Sequence, residues 1–85
     1  MIDRILPADE LRPAAERFAR RLAAGPTRAF AVVKDLMRAY SEGGIAAADS
    51  LLLDAAVGLF DTEDGRGGIE SFLDSGPGQA TFVGR

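Results

Sequence analysis

The sequence predicts an all-α protein, a small bundle of three main helices followed by a short C-terminal helix. Three observations carry this expectation. Apolar residues recur at spacings of three and four along most of the chain, which gathers them on single helical faces. The periodic stretches are separated by Gly25–Pro26 and Gly43–Gly44, and both pairs interrupt a helix. Thr62, followed by Glu63 and Asp64, has the pattern of a helix start, with a hydroxyl able to accept an unpaired backbone N–H and acidic side chains where the helix dipole favours them.

The chain divides into an extended lead-in over 1–7, a helical part over 8–74 and an irregular tail over 75–85, one small domain or a fragment of one. Ile2 and Ile5 suit a short strand or extended segment, and Pro7 blocks its extension. The first helix spans 9–24, started by Asp9 and Glu10 and striped by Leu11, Ala15, Phe18 and Leu22. Gly25 is a natural residue for a left-handed helix end, and Pro26 suits the first position of the next helix. That second helix spans 26–41, with Phe30, Val33, Met37 and Tyr40 as its stripe. The third spans 45–60. Ile45, Ala48, Leu52, Ala55 and Leu59 form one stripe, yet Leu51, Leu53, Ala56, Val57 and Phe60 lie off it. A helix apolar over most of its circumference is covered on several sides, so part of this one is expected to meet another domain or subunit. In the fourth, Ile69, Phe72 and Leu73 share a face, whereas Gly65, Gly67 and Gly68 each oppose helix by about 1 kcal/mol relative to Ala and point to close approach of another backbone.

Composition narrows the function classes. With 85 residues, the chain buries a little over ~60% of its unfolded surface, so its own core is marginal. Apolar content is nevertheless 47%, and the excess suggests surface meant for a partner. There is no Cys and no His, which removes disulfides, Cys-based metal sites and the commonest general base. No metal site is expected. The net charge of −3 argues against nucleic acid. No apolar run reaches the ~18 residues of a membrane span, and no signal peptide is read at an N-terminus carrying Asp3 and Arg4, so a cytoplasmic location away from membranes is expected. Charge is uneven: residues 1–42 carry eight basic and six acidic side chains, residues 43–85 two basic and seven acidic. Arg12, Arg17, Arg20 and Arg21 fall on the first helix, as a solvated face or a surface for acidic or phosphate groups.

Residues 60–74 carry a resemblance. Phe60, Thr62, Asp64, Gly68, Ile69, Phe72 and Asp74 match F-x-[ST]-x-D-x-x-[EQ]-G-[IVM]-x-A-F-x-[ED]-[KR]-[KR], which closes chains of the enoyl-CoA hydratase/isomerase (crotonase) superfamily. Gly67 stands in place of Glu or Gln, Ser71 in place of Ala, and Ser75 and Gly76 in place of the basic pair. LAAGP before the second helix, Lys34 within it, and Phe82 and Gly84 near the end also resemble that family. The chain is therefore similar to the C-terminal helical part of the crotonase fold. The resemblance implies a segment that builds the subunit interface and completes an acyl-CoA site, working with its own missing N-terminal core or another subunit, and forming a homo-oligomer. The oxyanion-holding N–H groups and the catalytic carboxylates of that family lie in the α/β core, so no catalytic residue is assigned and the segment alone is not expected to be an enzyme. It also binds no cofactor alone; acyl-CoA is the implied substrate. Phe72 stands where the family has the aromatic that approaches CoA, and Ser75 stands where it has the lysine.

Two other readings remain from the residues themselves. One is a free-standing helical interaction module. The other is an acyl-carrier-like protein, because Asp49-Ser50-Leu51 matches the triplet that takes phosphopantetheine on its serine; against it, Ser50 falls inside an expected helix rather than at its start.

Overall fold

The computed structural model describes residues 2–85; Met1, the first residue of the expected lead-in, lies outside them. Among the described residues the chain is all-helical, with three helices and no strand: α1 (Ala8–Ala23), α2 (Thr27–Phe60) and α3 (Glu63–Ser75). Ile2 and Ile5 are exposed and pair with no strand.

Helix α1 starts after Pro7, whose carbonyl accepts from the Glu10 and Leu11 amides. Asp9 and Glu10 lie in its first turn and Arg20 and Arg21 in its last, the arrangement that complements the helix dipole. Pro13, inside the helix, removes one backbone donor. Gly25 does not take the left-handed conformation expected of it, since α1 ends on Ala24 in right-handed geometry. Its missing side chain matters sterically instead: a Cβ there would stand 2.6 Å from the Phe30 ring. Pro26 caps α2 rather than opening it.

The expected second and third helices are the two arms of α2. Gly44, at φ 73° and ψ −164°, is the one non-helical residue inside it. That backbone conformation is essentially confined to glycine, so the bend is written into the sequence. Arg28, Val32 and Asp35 of the first arm share a shallow groove with Asp54, Ala55 and Leu59 of the second, so the arms fold back toward each other. The half-buried stripe of the first arm is Ala29, Val32, Leu36 and Ala39. This corrects the expected stripe of Phe30, Val33, Met37 and Tyr40, of which the last three are exposed. The face turned toward the second arm is the one carrying Val32, which lines the groove between the arms together with Arg28 and Asp35. On the second arm Ala48, Ala55 and Leu59 are half-buried, while Ile45 and Leu52 of the same expected stripe are exposed, as are Leu51, Leu53, Val57 and Phe60.

The expected bundle does not form. Contact between elements is confined chiefly to α2 and α3, and the stripe Leu11, Phe18 and Leu22 of α1 faces solvent. No apolar side chain is fully buried among the described residues. The radius of gyration is 16.0 Å, against about 12 Å for a globular chain of this length. Helix α2 has the length and apolar composition of a membrane-crossing helix, contrary to the sequence expectation. It is nevertheless bent at Gly44 and carries Asp49 and Asp54, each costing about 2.5–3.5 kcal/mol at a bilayer centre.

Candidate functional site

The best-formed site lies where the start of α2, the end of α2, α3 and the tail meet. The corner begins at Thr62, which caps α3 as expected: its hydroxyl oxygen accepts from the Gly65 amide at 2.9 Å. The same hydroxyl donates to the Leu59 carbonyl at 2.6 Å, tying the last turn of α2 to the first turn of α3. Gly65 meets the close backbone approach expected of the glycines in this helix. A Cβ on it would fall on the Leu59 carbonyl oxygen and 3.0 Å from the Thr62 hydroxyl. Gly67 opens on free space, and Gly68 lies beneath the Phe82 ring.

Asp64 is the one fully buried residue among those described, at 6% exposure. Its two carboxylate oxygens accept from two successive amides of the tail, Oδ1 from Val83 at 2.7 Å and Oδ2 from Gly84 at 2.8 Å. Its own amide donates to the Arg85 backbone oxygen at 2.8 Å. The Arg85 guanidinium completes the arrangement with a 2.8 Å ion pair to Glu63. That hydrogen bond, then the Glu63 charge, raises the Arg85 pKa above its ordinary value. The buried carboxylate is thus fully engaged, as a buried charge must be.

This clamp was not anticipated from the sequence, where Asp64 was read as complementing the helix dipole and as one of the residues resembling the crotonase ending. Its partners lie 19 and 20 residues away, beyond any local pattern. The expected irregular tail is irregular in backbone, but its end is tied down, and Ser75 belongs to α3 rather than to the tail.

Clamping the tail places Phe82 opposite α3 and closes one wall of an open groove of about 370 Å³. Its other walls come from Pro26, Ala29, Leu59, Ile69 and Phe72. Phe72, the expected CoA contact, thus reaches this groove and is 58% exposed. No lysine or arginine lines it, in keeping with Ser75 standing where a lysine was looked for. The groove can take an apolar group; it offers nothing to hold phosphates.

The other singled-out residues stand apart from it. Ser50 lies inside α2, where its hydroxyl donates to the Ala47 carbonyl at 2.9 Å. Lys34 is exposed on the first arm of α2. Of the basic residues on α1, Arg12 and Arg20 pair with Glu16 at 3.2 and 3.9 Å on an exposed face. Among the described residues, no group of three or more His, Asp or Glu is placed to hold a metal ion.

Comparisons with protein-family models, with curated proteins and with solved structures give no match for this chain.

Proposed function

We propose that the chain is an oligomerisation segment that completes an acyl-CoA site built mainly by other residues, in the manner of the C-terminal helices of enoyl-CoA hydratase/isomerase-like proteins in the cytoplasm. The observation that carries this reading is the surface the chain leaves uncovered. It exposes 7022 Å², whereas a globular monomer of 9.0 kDa exposes about 4,900 Å² by the usual scaling. The surplus of about 2,100 Å² is of the size found in obligate interfaces. Phe18, Met37, Ile45, Leu53 and Phe60 are among the large apolar side chains on it. Patches of that kind mark interaction surfaces.

The acyl-CoA part of the reading is supported by the residues of 60–74 that resemble the crotonase ending, and by Phe72 facing an apolar groove. Catalytic groups come from the partner core. The chain alone therefore hydrates no crotonyl-CoA. The test is complementation. An enoyl-CoA hydratase core from which the C-terminal helices have been removed is co-expressed with this chain, and crotonyl-CoA hydration is measured. Restored assembly and turnover are expected, and Phe72→Ala should raise KM more than it lowers kcat. A chain that self-associates but leaves the core inactive is instead a free-standing helical interaction module, and the acyl-CoA reading falls.

A further inference from the structure

The four arginines of α1 divide into two sets. Arg12 and Arg20 both pair with Glu16. Arg17 and Arg21 make no ion pair among the described residues. Four residues apart on one helix, they are like-charged neighbours, an arrangement that opposes the helix. The lead-in adds a third cation. Leu6 and Ala14, both half-buried, line one shallow hollow, so the lead-in runs back along α1. Arg4 thereby joins Arg17 and Arg21 around a second hollow of about 180 Å³, completed by Ala14 and Phe18. Arg4 makes no ion pair among the described residues either. Asp9 and Glu10 line the first hollow with Arg4 and Arg17 but pair with neither, and Glu16 is held by Arg12 and Arg20. Arg21 complements the end of the helix dipole. No contact within the chain accounts for bringing Arg4 and Arg17 to its side.

We propose that the hollow between Arg4, Arg17 and Arg21 binds a phosphate group, carried by a soluble phosphate ester or pyrophosphate or by the headgroup of an anionic lipid. Guanidinium is suited to this task, since its planar fork of N–H donors matches two phosphate oxygens and its charge is permanent. Three unpaired cations around one small hollow also concentrate positive potential in a chain whose net charge is −3. Phe18 and Ala14 give the hollow an apolar side that offers no competing acceptor. The exposed stripe of Leu11, Phe18 and Leu22 borders it, and on a bilayer those side chains would enter the acyl boundary beside the headgroup. The hollow shares no residue with the groove beside Phe72, so the proposal is independent of the acyl-CoA reading.

The test titrates sodium pyrophosphate into the ¹⁵N-labelled full chain at constant ionic strength. The Nε–H signals of Arg4, Arg17 and Arg21 are expected to shift together and saturate with one dissociation constant, while those of Arg12 and Arg20 stay in place. Arg17→Gln should raise that constant about tenfold, the loss of one charge-assisted contact. Arg4→Gln, which lies outside every helix, should do the same, and Arg12→Gln should leave it unchanged. A second arm measures co-sedimentation with phosphatidylcholine vesicles that contain phosphatidic acid. Pelleting that pyrophosphate competes away assigns a lipid headgroup; saturation by pyrophosphate without pelleting assigns a soluble ligand, and either result upholds the site. Shifts that never saturate, or that spread equally over all the arginines, overturn it. So does pelleting that both pyrophosphate and Arg17→Gln leave intact, and so does the absence of shifts and pelleting alike. Far-UV circular dichroism checks that the variants keep their helices; if Arg17→Gln does not, Arg4→Gln decides alone.

Discussion

Asp64 holds the tail because a carboxylate has two oxygens and the successive amides of Val83 and Gly84 give one donor to each. Bonds to a charged group contribute about 1.5–3 kcal/mol each, roughly twice a neutral bond. Asp64→Asn retains one acceptor oxygen and turns an NH₂ group toward the other amide. Hydrogen exchange at the Val83 and Gly84 amides should then accelerate by at least tenfold, with α3 itself still helical. The glycines of α3 give a paired test. Gly67→Ala has open space and should stabilise the helix by about 1 kcal/mol. Gly65→Ala has the same propensity gain, but its Cβ collides with the Leu59 carbonyl and crowds the Thr62 cap, whose loss alone costs about 1 kcal/mol. Thermal melts followed by circular dichroism should move in opposite directions for the two; a shared direction would show that packing at Leu59 does not constrain Gly65.

Among the elements, α2 depends on a single residue for its shape. Straightened, its 34 residues would reach about 51 Å at ~1.5 Å per residue, longer than the 43 Å that is the greatest extent of the whole chain. Gly44 has no neighbour within 4 Å, so a side chain there meets no steric obstacle and is opposed only by the backbone angle. Gly44→Ala should therefore convert the bend to continuous helix rather than unfold it. Small-angle scattering should show a longer maximum dimension at unchanged or higher helicity, and an unaltered profile would mean that contact between the arms, not Gly44, sets the bend. Helix α1 is the opposite case. Its 16 residues are near the length at which an isolated helix is marginal, and its apolar stripe has no cover, so its stability depends on what it meets.

For the molecule as a whole, uncovered surface decides behaviour. With no buried apolar side chain among the described residues and about 2,100 Å² of surplus surface, the chain is expected to gain by association. Sedimentation equilibrium should show a closed symmetric oligomer at micromolar concentration. Leu53, at 71% exposure, faces away from the opposing arm, so Leu53→Glu adds a charge to the interface without disturbing the fold. Its dissociation constant should rise by at least tenfold, with a smaller effect from Arg20→Glu on the exposed, ion-paired face of α1. Equal effects would place the interface on α1 instead.

The helical stretches, the break at Gly44 and the Thr62 cap were legible in the sequence because each depends on residues within about four positions of itself; that the expected second and third helices join as one bent α2 was not. Helical periodicity, capping and backbone restriction are local properties, and they fixed the all-α class without help from the rest of the chain. The inward face of α2 was not legible in this way. Two apolar stripes compete on its first arm, and hydrophobicity favours the larger one, Phe30, Val33, Met37 and Tyr40. The bend at Gly44 turns one face of the first arm toward the second, and that face is the one carrying Ala29, Val32, Leu36 and Ala39. The groove followed the same division. The sequence marked Phe72, but it could not join Asp64 to Val83 and Gly84 across 19 and 20 residues, because that pairing exists only once α3 and the tail are set side by side.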